Sequence, residues 1–270
     1  MKFCCHKLPP EFQSFEHRES GALWRGVVRC GNALPSEAGR EMINLCRDLV
    51  DGNMDIIKDR PKIKAGVDGK HFVKLYKLPG MAAQFRRRFR KGRAYHCLFA
   101  AEALHKYDVL TPKVLAAVEL RCGWYICDFL ITEALPAGVR TLNFCSIDER
   151  CSRSSMRDFV IGQVLLQTVK MHNGGVAHGD LNLRNIYAVE DRVGFIDLDG
   201  TTFSSEPLKI TAREKELARL LSGFLRFDRF KDMNIDELAA GLVEAYGRSS
   251  GVQCDKNRIV RRAEYLLGRL

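Results

Sequence analysis

At 270 residues, 46% hydrophobic and 28% charged, the chain has enough apolar material for one compact unit or two small lobes with a sizeable core. Its 43 Lys and Arg against 33 Asp and Glu leave a net charge of +10, which favours anionic partners (nucleic acid, phosphorylated ligands, an acidic membrane surface) without choosing among them. The opening Met1–Pro10 stretch, broken by His6, Lys7 and two prolines, does not read as a secretory signal, and the longest apolar window, Trp124 to Leu135, is too short for a membrane span and holds Asp128 and Glu133.

In chain order, residues 1–36 read as irregular, and 37–50 carry apolar residues at helical spacing. From Met54 to Lys77 the pattern is extended: Lys62 to Val67 alternates, Asp68-Gly69 signals a two-residue turn, and His71 to Tyr76 alternates again, a β-hairpin whose second strand carries Lys74. A single helix is expected over about 82–106, with Phe85 and Phe89 among the residues whose spacing points to the core. Lys113 to Glu119 and Trp124 to Thr132 read as strands about the Arg121-Cys122-Gly123 turn, and Glu133 to Gly138 as a linker. A helix over Ser154 to His172 ends at Asn173-Gly174-Gly175; strands follow at Ile186–Val189 and Val193–Leu198, then helices near 211–226, 235–247 and 256–269. The ten cysteines (4, 5, 30, 46, 97, 122, 127, 145, 151 and 254) are scattered without a Cys-x-x-Cys pair, so free thiols in a reducing cytosol are expected.

The segment His178-Gly179-Asp180-Leu181-Asn182-Leu183-Arg184-Asn185, with Asp197 downstream, supplies residue types that phosphoryl transfer needs. One carboxylate orients and deprotonates an attacking hydroxyl, and hard oxygen ligands hold a magnesium ion on the phosphates. Asp180, five residues before Asn185, suits the first task, and Asn185 with Asp197 the second. In the alternative, Asp180 and Asn185 cap turns and Asp197-Leu198-Asp199-Gly200 is a polar loop.

His178-x-Asp180-x-x-x-x-Asn185 resembles the catalytic loop of kinases, and Ile196-Asp197-Leu198-Asp199 is similar to the metal-binding turn of kinase-like enzymes acting on small molecules and glycolipids. With Leu130-Ile131-Thr132-Glu133-Ala134-Leu135 and Arg213 to Leu221, the ensemble resembles the bacterial lipopolysaccharide kinase family, which phosphorylates heptose or Kdo (3-deoxy-D-manno-octulosonic acid) in the inner core. The resemblance implies an α+β, bilobal protein-kinase-like fold, with a β-rich N-lobe and a mostly helical C-lobe. The expected division is a preface over 1–50, a nucleotide-binding lobe over 51–135 and a catalytic lobe over 136–270. It further implies ATP and Mg²⁺ as cofactors, Asp180 as base, Asn185 and Asp197 as metal ligands, Lys74 on the α and β phosphates, and a hinge from Glu133 to Leu135 whose backbone meets adenine.

Two departures accompany it. Only Gly66 and Gly69 stand where protein kinases carry a glycine-rich loop, and Cys97 stands where the family pattern Arg-Ala-x-x-Glu ends. Either Glu102, the remaining carboxylate of that helix, pairs with Lys74 through a shifted register, or the ion pair is missing. The expected substrate is a sugar of the lipopolysaccharide core or one linked to lipid A. The cluster Arg86 to Arg93 reads as a solvated face, as contact with an anionic membrane surface or as contact with phosphorylated lipid A, and no nucleic acid is expected because stacking aromatics are lacking apart from Phe85 and Phe89, whose spacing points to the core. The chain is accordingly read as cytoplasmic and peripheral at the inner membrane. A pseudokinase that binds without turnover, or a small-molecule kinase of the aminoglycoside or choline type, are the rival readings.

Overall fold

The computed structural model describes residues 8–31, 33–139, 141–142, 160–189, 192–226 and 234–268. The chain divides into two compact units, one formed by residues 1–102 and 112–137, the other by 103–111 and 138–270.

The first unit is an antiparallel seven-stranded sheet in the order β1-β2-β6-β7-β5-β4-β3. Its strands are β1 (Phe12–Glu19), β2 (Ala22–Arg29), β3 (Asp55–Arg60), β4 (Ile63–Val67), β5 (His71–Tyr76), β6 (Val114–Cys122) and β7 (Tyr125–Glu133). Helix α1 (Pro35–Asp51) covers one face: Met42, Ile43, Cys46 and Leu49 pack into a core with Phe15, Trp24, Val28, Leu75 and Phe129. Gly39 lets that helix approach closely, because a Cβ there would lie 2.6 Å from the Phe15 ring.

Residues 8–36 are therefore not an irregular preface. They contribute β1 and β2, joined by a tight turn at Ser20 and Gly21 with positive φ at both. The alternation was hard to see because β1 is an edge strand with only Phe12 and Phe15 buried, the rest being polar. The hairpin about Asp68-Gly69 forms as expected, its turn closed by the Asp68 carboxylate accepting from the backbone N–H of Lys70 and His71 at 2.9 and 2.7 Å.

The expected helix over 82–106 is broken into α2 (Met81–Arg87) and α3 (Arg93–Lys106). Burial explains the break. Arg87 is only 8% exposed and its guanidinium turns inward between the carboxylates of Asp128 and Glu119, while Gly92 packs so close to Asp128 that a Cβ would meet its carboxylate oxygens at 2.2 Å. A straight helix cannot satisfy both contacts. The same rearrangement overturns the core assignment of Phe85 and Phe89, which are 57% and 75% exposed and contact each other edge to face at 5.3 Å.

The second unit is mostly helical, with α4 (Leu165–Asn173), α5 (Ile210–Leu225), α6 (Ile235–Ser250) and α7 (Lys256–Leu267). Between α4 and α5 lie β8 (Val176–Ala177), β9 (Ile186–Val189), β10 (Arg192–Phe195) and β11 (Thr202–Phe203), paired as β10 with β9 and β11 with β8. The expected start of the helix before α4, including Phe159, and Cys4, Cys5, Cys145 and Cys151 lie outside the described residues; the six other cysteines are free thiols. Arg213 on α5 is buried and ties this unit together, donating to the Leu208 carbonyl, the Tyr246 hydroxyl and the Asn173 side chain at 2.7, 2.8 and 3.0 Å.

Candidate active site

The loop after β8 owes its shape to two glycines. Gly175, at φ +74°, ends α4, and Gly179, at φ +84°, lies so close to the chain after Asp197 that a Cβ would stand 2.1 Å from the Gly200 carbonyl oxygen. Only a residue without a side chain allows the 178–185 loop and the 197–200 turn to touch.

His178 is fully buried. Its Nε2 donates to the Ile196 carbonyl at 3.1 Å and its Nδ1 accepts from the Asp180 backbone N–H at 3.3 Å, so the network assigns the proton to Nε2. Burial pushes its pKa down, against the pull of the Ile196 carbonyl and of the Asp180 and Asp197 carboxylates. The imidazole is thus a neutral brace between the loop and the strand end.

Leu181 and Leu183 anchor the loop in the interior, which turns the alternate residues Asp180, Asn182 and Arg184 outward. Asp180 presents an exposed carboxylate: Oδ2 accepts from Asn185 Nδ2 at 3.1 Å and Oδ1 from Arg219 at 3.1 Å. Asn185 Nδ2 also donates to the Asp180 carbonyl at 2.9 Å. With that amide nitrogen committed twice, the amide oxygen is left as an acceptor.

Asp197 follows β10 with φ 61° and ψ 59°, a left-handed conformation that a non-glycine residue adopts at a cost. Its placement is fixed through its neighbour, since the Ile196 N–H donates to the Asn185 carbonyl at 2.9 Å and the Ile196 carbonyl accepts from His178. The structure therefore brings Asp180 and Asn185 into direct contact and ties the backbone before Asp197 to the same loop. An amide oxygen and a carboxylate are hard donors of the kind magnesium takes, so this pair fits that ion.

In the first unit, Lys74 lies on β5 opposite Ala65 and Leu130, with its Nζ 5.1 Å from the Tyr76 ring centre. Glu133 ends β7 and Leu135 follows it. Glu102, on α3, pairs with Arg29 at 2.5 Å, and Cys97 is buried with its sulfur 3.5 Å from the Tyr76 hydroxyl.

Sequence reasoning missed Glu216 and Arg219, both on α5. Glu216 is 3% exposed, and its carboxylate accepts from the backbone N–H of His178 at 2.7 Å and of Gly179 at 3.1 Å. Burial raises its pKa to about 7, even though those two N–H groups and the Arg219 charge act in the opposite direction. Arg219, one turn further along, carries the contact to Asp180. The available signal was a carboxylate in a buried stripe: Arg213, Glu216, Leu217, Leu220 and Leu221 recur at helical spacing, and a charge there calls for a buried partner.

Comparison with solved structures shows the class of fold. The structure described as WaaP in complex with acyl carrier protein aligns with a TM-score of 0.51 at 22% identity, covering 81% of this chain and 87% of that one. A glucosamine kinase in complex with glucosamine, ADP and inorganic phosphate aligns with a TM-score of 0.56 at 13% identity, covering 93% and 88%. The fold is that of protein-kinase-like phosphotransferases, a β-rich sheet unit followed by a mostly helical one. Within that class, residues 67–242 match the lipopolysaccharide kinase (Kdo/WaaP) family, and the chain belongs to it. It is an ATP-dependent phosphotransferase that acts on a sugar hydroxyl. No curated protein matches the chain.

Proposed function

We propose that this enzyme transfers the γ-phosphate of ATP to a hydroxyl of Kdo or heptose in the inner core of lipopolysaccharide. The observation that carries the reading is the exposed Asp180 carboxylate, held by Asn185 and Arg219 in a loop whose backbone is bonded to Glu216. One hydrogen bond on each oxygen leaves lone pairs for an incoming hydroxyl. Asp180 takes the hydroxyl proton as the sugar oxygen bonds to the γ-phosphorus; the bond from phosphorus to the bridging oxygen breaks, and ADP leaves with that electron pair. Magnesium, when bound, offsets charge on the phosphate oxygens, and Asn185 Oδ1 and the Asp197 carboxylate would hold it. In the first unit we assign Lys74 to the α and β phosphates, the backbone from Glu133 to Leu135 to adenine, and Glu102, the only carboxylate on α3, to orienting Lys74.

The test is Asp180→Asn. Turnover of ATP with lipopolysaccharide core acceptor should fall by ~10²–10⁴, while the melting temperature holds, because the side chain is exposed. Mass spectrometry of core oligosaccharide treated with the wild type should show one added phosphate; an unchanged mass with active ATP binding would sink the reading.

For location we assign the cytoplasmic face of the inner membrane. Among the described residues no helix is long and apolar enough to cross a membrane. Support for peripheral contact comes from exposed Arg86, Arg90 and Lys91 alongside exposed Phe85 and Phe89, a basic and aromatic surface in which each cation near anionic lipid contributes ~1 kcal/mol. Arg87 takes no part in that surface, being buried in its ion pairs.

A further inference from the structure

Resting on the sugar-kinase reading, we propose that the acceptor is an anionic sugar, its carboxylate or phosphate ester gripped by Arg184 and Arg226 beside Asp180. The second unit holds a cavity of about 350 Å³ whose lining includes Asp180, Asn182, Arg184, Arg219, Ser222 and Arg226. That volume is near the lower end of the ~300–1,000 Å³ usual for small-ligand sites, room for about one sugar and far too little for a folded partner.

The charge balance inside it is uneven. Among the described residues, three guanidinium groups share the cavity with one carboxylate, Asp180, and Arg219 is the cation paired with it, at 3.1 Å. Arg226 donates to the Leu266 carbonyl, a neutral acceptor that orients the side chain without cancelling its charge. Arg184 is exposed, and its guanidinium has no acidic partner among the described residues. Among the described residues two positive charges are therefore uncompensated within the cavity that carries the proton acceptor.

A neutral sugar presents only hydroxyl groups, which amides and carboxylates bind as well as cations do. The planar fork of arginine instead matches the paired oxygens of a carboxylate or phosphate. An acceptor with one such group would neutralise the surplus and be oriented by it, with a hydroxyl directed at Asp180. The loop geometry supports the division of labour: the Asn182 side chain accepts from the Arg184 N–H at 3.0 Å and donates to the Asp180 carbonyl at 3.1 Å, so the backbones of the acceptor-binding and proton-accepting residues share one clamp.

Steady-state kinetics with three acceptors test this: Kdo, the same sugar with its carboxylate reduced to an alcohol, and a phosphorylated heptose. Each is run with the wild type, R184Q, R226Q and the charge-keeping R184K and R226K. One anionic acceptor should show a KM at least ~10-fold below that of the neutral sugar. R184Q and R226Q should each raise that KM ~10-fold or more, as expected for loss of a hydrogen bond to a charged group, with the lysine variants recovering part of it and KM for ATP unchanged. The acceptor that responds tells carboxylate from phosphate. R184Q keeps the test readable if R226Q folds poorly, since the Arg184 guanidinium makes no structural bond among the described residues. Equal KM for the charged and neutral acceptors, or an effect on KM for ATP in place of the acceptor, overturns the proposal and leaves the sugar-kinase reading standing. Absence of phosphate transfer to all three overturns that reading and the proposal with it.

Discussion

The 178–185 loop of the second unit and the 81–92 segment of the first solve one problem in opposite ways. Each holds exposed polar and aromatic side chains in place through an ionisable side chain buried beneath them: Glu216 under the loop, Arg87 under the segment. Arg87 lies between two carboxylates, Asp128 and Glu119; burial pushes the Asp128 pKa up, but that of Glu119 is held down, against its own burial, by Arg121, Arg87 and Arg25, so the Arg87 charge keeps a matching partner. The Glu216 carboxylate accepts two backbone N–H groups, and its ionisation is costly enough that its pKa rises to about 7. A buried ion in a closed network is a fixed strut, whereas a carboxylate held mainly by dipoles is sensitive to proton concentration.

Breaking the fixed strut should cost most. Arg87→Met leaves Asp128 and Glu119 buried without their shared cation, and urea denaturation should show a loss of about 3–5 kcal/mol. A loss under ~1 kcal/mol would mean that the segment is held by other contacts.

The titrating anchor gives the next largest effect. Glu216 has a folded pKa near 7 and an ordinary value of 4.5, so between those limits the folded protein binds more protons than the unfolded chain, and stability declines as pH rises. The stabilisation from protonating Glu216 is complete below about 4.5 and gone above about 7, a swing of ~3 kcal/mol. Glu216→Gln, which cannot ionise, should therefore gain on the wild type by that order between pH 5 and pH 8 in parallel melts. A constant difference across the range would refute the dipole-held assignment.

The smallest effect on stability belongs to the exposed aromatics. Phe85→Ser with Phe89→Ser should change stability by no more than about 0.5 kcal/mol, yet reduce co-sedimentation with vesicles containing anionic lipid. Core packing of either ring would instead cost several kcal/mol, as buried aromatics do.

The same contrast explains what was legible from sequence. The strands over 62–76 and 113–133 were readable from alternation and a strong turn signal, and helices α4 to α7 from their apolar stripes. Asp180, Asn185 and Asp197 stood out because their spacing is a local property. By contrast, β1 hid its alternation because an edge strand buries so little. Phe85 and Phe89 obeyed helical spacing, but the helix breaks between Arg87 and Arg93 to satisfy Asp128, a residue 41 positions from Arg87. Glu216 lies 38 positions from the His178 amide it holds. Such dependence on distant partners leaves little trace in local periodicity.

The contact between Gly179 and Gly200 has a mechanical consequence. With backbone against backbone and nothing compressible between, the 178–185 loop and the turn that begins at Asp197 behave as meshed gears. Neither can shift by even an ångström without carrying the other, so any rearrangement that disengages the one disables both at once.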